Sequence, residues 1–119
     1  MVMTVAERFN DCINRQDLAG LVALMTEDHA FTDAEGNTIV GRDACRAAWE
    51  GFFAAFPDYR NVFESVRTDG DATTIAGRSV CSEPALAGPA LWSATIRDGL
   101  VAGWRVLYDT EENRSALGL

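Results

Sequence analysis

The 119 residues offer few groups able to do chemistry, and what is missing narrows the field first. All 10 basic residues are arginine. Without lysine there is no Schiff-base chemistry, and the usual attachment of pyridoxal phosphate is excluded. His29 is the only histidine, which removes multi-histidine metal sites. Cys12, Cys45 and Cys81 stand far apart, form no Cys-x-x-Cys pair and lie in apolar surroundings. They read as buried thiols of a reducing compartment. His29 follows Glu27-Asp28 and reads as a surface or strand-start residue. Asp33, before Ala34-Glu35-Gly36, is either an exposed turn residue or a base facing a pocket. Arg78, on a strand of small residues, belongs either to a solvated face or beside an anion in a pocket. Trp49, Trp92 and Trp104 suit a plain core or an aromatic-walled pocket. No metal and no cofactor are expected.

Charge and composition exclude further classes. The net charge of −8 argues against nucleic acid as a partner, because phosphate binding needs a basic surface. A hydrophobic content of 48% fits a globular chain long enough for a core, read as one domain over residues 1–119. No apolar run approaches the roughly 20 residues of a membrane span. The opening MVMTVAERFND is acidic and amphipathic, with no basic flank and no cleavage-site pattern, so it does not read as a signal peptide. A cytoplasmic location is expected.

The elements that must position these residues can be read in order. Thr4-x-x-Glu7 is a capping-box pattern, followed by Val5, Phe9, Cys12 and Ile13 at helical spacing. Asp17 can cap a second helix whose stripe is Leu18, Leu21, Val22 and Met25. His29 to Asp33 reads as a short strand, Glu35-Gly36-Asn37 as a turn, and Thr38 to Val40 as a short returning strand. A third helix starts at Gly41, carries Cys45, Trp49, Phe52, Phe53 and Phe56 on one stripe, and ends before Pro57. Strands are predicted over 58–68, with Val62 and Val66 opposite Phe63, and over 72–82. The stretch 91–109 is the central hairpin, turning at Asp98-Gly99, where a tight turn needs positive φ. Ala102, Trp104, Val106 and Tyr108 share one face of its second strand; Val101, Arg105 and Leu107 share the other. The residues 111–119 read as a polar tail.

Helices grouped before an antiparallel meander imply an α+β fold. The expected form is a cone-shaped, strongly curved, mostly antiparallel sheet with three helices packed on it. A pocket is expected between helices one and three and the concave sheet, lined by Phe9, Ile13, Trp49, Phe53, Trp92 and Trp104. It should take a small apolar or aromatic molecule carrying a carbonyl or hydroxyl group. Bulk on both hairpin faces, Leu107 or Val101 among it, predicts a homodimer. Neither nucleic acid nor membrane is an expected partner.

Three stretches resemble the nuclear transport factor two-like (cystatin-like) superfamily, in its SnoaL-like and ketosteroid-isomerase-like branch. They are Thr26 to Gly36, the Gly41-Arg-Asp helix start, and Asp98-Gly-Leu-Val-Ala-Gly-Trp-Arg-Val-Leu-Tyr-Asp109. The resemblance covers nearly the whole chain and implies fold more than function, since the fold hosts isomerases, polyketide cyclases, epoxide hydrolases and non-catalytic binders. It implies that Asp33 occupies the isomerases' general-base position. Their oxyanion-hole tyrosine matches Phe9, which has no hydroxyl; their second donor falls at or near Ser93; a supporting tyrosine matches Trp49. The epoxide hydrolases' arginine–aspartate group maps to Arg78 and Val80, and their last-strand acid to Val106. Two readings follow. One is an isomerase, cyclase or hydratase-like lyase, with Asp33 moving a proton on a small apolar substrate. The other is a non-catalytic ligand-binding or dimerisation module of the same fold.

Overall fold

The computed structural model describes residues 3–119; Met1 and Val2, which begin the stretch read above against a signal peptide, lie outside the described residues. Helix α1 (Val5–Arg15) opens with a complete capping box: the Thr4 hydroxyl accepts from the Glu7 N–H, and the Thr4 N–H donates to the Glu7 carboxylate. This satisfies two of the donors that a helix start leaves free. The Asp17 carboxylate caps α2 (Leu18–Ala23) by accepting from the Gly20 N–H at 3.0 Å. Met25 does not continue that helix but opens strand β1 (Met25–Thr32), which turns back through β2 (Thr38–Val40). Helix α3 (Arg42–Ala55) follows, burying Cys45, Trp49 and Phe53 at intervals of four. Strands β3 (Arg60–Asp69), β4 (Ala72–Val80), β5 (Gly88–Arg97) and β6 (Leu100–Tyr108) form the meander. The β5–β6 turn has Asp98 at φ 54° and Gly99 at φ 75°, the pair of positive values that suits a right-twisted hairpin.

The six strands make one curved, unclosed sheet in the order β2-β1-β6-β5-β4-β3. It is antiparallel except where β1 runs parallel to β6. The fold is α+β, a curved mixed sheet with helices packed on it. Among the described residues no helix is long and apolar enough to cross a membrane.

Besides a register shift between β1 and β6 from Met25 to Ala30, two bulges decide which side chains of the meander face inward. On β6, Gly103 pairs with Thr95 but Val101 pairs with Ile96, so Ala102 is extra. Val101 therefore joins Trp104 on the helix-covered face and is fully buried, against the alternation expected of it. On β3, Phe63 pairs with Gly77 and Ser65 with Ala76, so Glu64 is extra. Phe63 and Val66 then share the inner face, while Val62 faces out, which corrects the predicted pairing of Val62 with Val66. The bend presses the Val62 carbonyl against β4 so closely that a Cβ on Gly77 would lie 2.1 Å from it. Only glycine fits there.

The residues read as a polar tail fold into a fourth helix, α4 (Glu111–Leu117), capped by the Thr110 hydroxyl. Leu117 and Leu119 pack on Ala76, Leu91 and Leu107 of the outer sheet face. Leu107 is thus covered by its own chain.

His29 is fully buried, not at the surface as its acidic neighbours suggested. Its Nδ1 lies 2.6 Å from the Val101 carbonyl. A carbonyl can only accept, so Nδ1 carries the proton and Nε2 keeps a lone pair with no partner, beside the Phe9 ring. Protonating Nε2 would bury a charge in the core, and burial holds the imidazole pKa below its ordinary value. The unfolded chain takes up that proton near pH 6.5 and the folded chain resists it. Stability from this residue is therefore full above about pH 6.5 and declines as pH falls below it, by at most about 1.4 kcal/mol per pH unit. His29→Gln keeps a donor for the Val101 carbonyl and removes the titration. Its melting temperature should vary less between about pH 7 and pH 5 than the parent's.

Candidate functional site

Between α3, the inner sheet face and the β1–β2 turn lies a cavity of about 560 Å³. Its walls follow from the strand period and the helix stripe. Trp49 and Phe52 come from α3, Phe31 from β1, Trp92 from β5, and Trp104 and Val106 from β6. The rings support one another: Phe31 and Trp49 lie 5.5 Å apart between centroids, and Phe63 backs Trp92 at 5.2 Å. The mouth is framed by Asp33 to Glu35, by Tyr108 and by the loop leading into β5. The Tyr108 hydroxyl donates to the Glu35 carboxylate, tying the β1–β2 turn to the end of β6.

One side of the cavity is polar. Asn61 and Ser79 pair across β3 and β4, and both are almost fully buried. The Ser79 hydroxyl donates to the Asn61 side-chain oxygen at 2.9 Å, and the Asn61 amide donates to the Asn10 side chain at 3.2 Å. Asn14 closes the set: its side-chain oxygen accepts from the Asn61 N–H at 2.8 Å, and its amide donates to the Asn61 carbonyl at 2.9 Å. Since Ser79 spends its proton on Asn61, the Tyr59 hydroxyl, 3.1 Å from Ser79, is the donor to it. Tyr59 is left with lone pairs and no proton to offer the cavity. Burial also raises its pKa, so the phenol stays neutral. The indole N–H groups of Trp49 and Trp92 are buried without a partner among the described residues.

Asp33 borders the cavity, but its carboxylate is occupied by its own turn. Oδ1 accepts from the Glu35 and Asn37 N–H groups, both at 2.9 Å, and Oδ2 accepts from the Asn37 amide at 3.2 Å. These bonds, the Asn37 N–H foremost, hold its pKa below the ordinary carboxylate value. A carboxylate stabilised as an anion is a weak base.

The other predicted residues divide cleanly. Trp49, Trp92 and Trp104 line the cavity. Phe9, Ile13 and Phe53 do not: α1 lies behind the cavity wall, where the Phe9 ring packs tilted against Trp104 at 4.7 Å between centroids, and all three fill the core. Ser93 faces outward between Thr74 and Arg105, because its neighbour Trp92 takes the inward position. Arg78 is exposed on the outer face, opposite Val62 and Pro89. Sequence reasoning missed Asn61 and Ser79, and Tyr59, in the loop before β3, was not among the predicted site residues. The available signal was Tyr59-Arg60-Asn61, two polar groups at strand spacing. Among the described residues no cluster of three His, Cys, Asp or Glu side chains is placed to hold a metal ion.

The sequence profile of the SnoaL-like domain matches residues 6–106. No curated protein matches the chain at a significant level. Several solved structures share its fold. A candidate polyketide cyclase from Sinorhizobium meliloti is 22% identical, with a TM-score of 0.77 over 86% of this chain and 92% of that one. A candidate ketosteroid isomerase from Kribbella flavida is 18% identical, with a TM-score of 0.74 over 95% and 84%. An epoxide hydrolase of the LEH-like type from M. tuberculosis is 15% identical, with a TM-score of 0.77 over 88% and 80%.

The polar side of the cavity has an ordered set of costs. Asn61→Leu takes the side-chain partner from both Asn10 and Ser79, while Asn14 keeps its bonds to the backbone of residue 61, and should lose about 2–4 kcal/mol of stability. Ser79→Ala should lose about 1–2 kcal/mol, and Tyr59→Phe about 1 kcal/mol or less. Urea unfolding of the three variants measures the order.

Proposed function

The chain belongs to the SnoaL-like domain family, and we propose on that premise that its cavity binds a small, flat, largely apolar molecule. The observation that carries this reading is the division of the cavity surface. Apolar side chains, with the rings of Phe31, Trp49, Phe52, Trp92 and Trp104 among them, form most of the wall, and a polar chain, Tyr59-Ser79-Asn61, fixes one edge. Rings give stacking area with little loss of side-chain freedom, while one polar edge fixes orientation. As that chain is arranged, Tyr59 accepts, so a ligand hydroxyl matches it directly; a carbonyl would need the phenol to turn away from Ser79.

Binding without chemistry is the reading the site supports best. The second reading is proton transfer of the isomerase, cyclase or hydratase kind, with Asp33 as base. Its support is position, since Asp33 borders the cavity. Against it stands the carboxylate's engagement by three N–H donors. No cofactor is invoked. Cytoplasmic residence suits three unpaired thiols, two of them buried.

The binding experiment is direct. Flat aromatic alcohols should quench tryptophan fluorescence, and Trp49→Ala should weaken them by about tenfold or more, the loss of one stacked ring. Saturation by no apolar ligand would sink the pocket reading. Where a substrate is turned over, loss of turnover in Asp33→Asn with binding retained would promote the catalytic reading over the binding one.

We propose also that two copies of the chain pair through the outer sheet face that α4 leaves open. Val62 and Val80 are each 36% exposed there, on the strands that carry Arg60 and Arg78. Equilibrium sedimentation at micromolar concentration should give a dimer, and Val62→Glu should shift it to monomer. A parent protein that sediments as a monomer would remove the proposal.

A further inference from the structure

The cavity carries an electrostatic bias that its apolar walls do not require. Its rim holds two carboxylates, Asp33 and Glu35, and among the described residues no arginine or histidine lines it. Seven of the 10 arginines are engaged or placed elsewhere. Arg15, Arg42, Arg97 and Arg114 pair with acids away from the mouth, and Arg60, Arg78 and Arg105 lie on the outer sheet face. Neither Asp33 nor Glu35 has a salt-bridge partner among the described residues. The Asp33 charge is held by its turn, and the Glu35 carboxylate accepts from the Tyr108 hydroxyl with one oxygen only.

The rings next to the rim add to this field. Phe31 and Asp33 are two apart on the same strand end, and Phe31 contacts Trp49 at 5.5 Å between centroids. Aromatic faces present negative charge, and a cation over such a face is attracted by it. Carboxylates and ring faces together reject an anion and favour a cation at the mouth. The wall at Trp92 and Trp104 offers rings and no charge.

We propose that the ligand is a flat aromatic molecule bearing a protonated amine, with its rings against Trp92 and Trp104 and its ammonium group at the Asp33–Glu35 rim. The proposal rests on the pocket reading above and adds the ligand's charge class. The length fits. Trp104 and Tyr108 are four residues apart on β6, roughly 13 Å along an extended strand. That span takes two fused rings and a short chain.

Three matched probes test it by calorimetry: naphthylethylamine, naphthylethanol and naphthylacetate. The amine should bind about tenfold tighter than the alcohol, from one partly solvated ion pair and one cation–ring contact. The acetate should bind weakest. The amine-to-alcohol ratio should fall at high salt, since a solvated mouth is screened. Glu35→Gln, which leaves the Asp33 turn bonds in place, should lower that ratio about threefold. An alcohol that binds as tightly as the amine, an acetate that binds tightest, or a ratio unmoved by Glu35→Gln and by Asp33→Asn would each overturn the charge assignment while leaving the pocket reading intact. Failure of all three probes to bind would overturn both.

Discussion

A sheet that keeps its bulky side chains on one face must bend around them, and here two inserted residues set the bend. Ala102 on β6 and Glu64 on β3 each break the period of two, so that Val101 with Trp104, and Phe63 with Val66, reach the same side at a spacing of three. A bulge also raises local twist. The concavity between the sheet and α3 follows from this, and so does the cavity. Facing positions then alternate in size: Trp92 lies beside Ile75 and Val106, Trp104 beside Ala94, and Phe63 beside Gly77. Gly77 is where the constraint is tightest, because the Val62 carbonyl occupies the space a side chain would need.

The polar edge of the cavity depends on the same geometry. Asn61 meets Ser79 only because the strand register upstream of Glu64 is fixed. Once buried, that pair needs partners, and α1 supplies them through Asn10 and Asn14. The helix thus does two jobs from one face. Phe9 and Ile13 fill the core, while Asn10 and Asn14 satisfy the strand. A buried polar network that is fully paired fixes one arrangement and penalises others. Here it also fixes the hydrogen-bond polarity at Tyr59, which lines the cavity with Asn61 and Ser79.

How much of this was legible in the sequence depends on the range of each signal. The capping box at Thr4, the Asp17 cap, the Asp98-Gly99 turn and the aromatic stripe of α3 are local, and each is where the sequence puts it. The bulges are not legible, because a period-two reading has no mark for an extra residue. The sides of Val101 and Val66 were therefore misassigned. Helix α4 is polar through most of its length, and Leu117 and Leu119 gain meaning only from Leu91 and Leu107, distant in sequence. His29 was misjudged from its neighbours: Glu27 and Asp28 are exposed, yet the next residue turns inward. At the site the tryptophans were visible by type, whereas Asn61 and Ser79 depend on a cross-strand register that no local pattern reports.

Asp33 shows how one residue can look catalytic and be architectural. Its position after a short strand invites the role of base. The following residues, however, fold back to give its carboxylate three donors, and Asp33 also anchors the backbone of its turn through its own N–H and carbonyl. These bonds make the turn a fixed rim that needs no ligand to order it. They also make the carboxylate a permanent charge, since every donor favours the anion. A base must give up its charge when it takes a proton; a rim charge must keep it. The same hydrogen bonds that weaken Asp33 as a base keep a negative charge fixed at the cavity mouth, and such a charge acts on what enters by its sign.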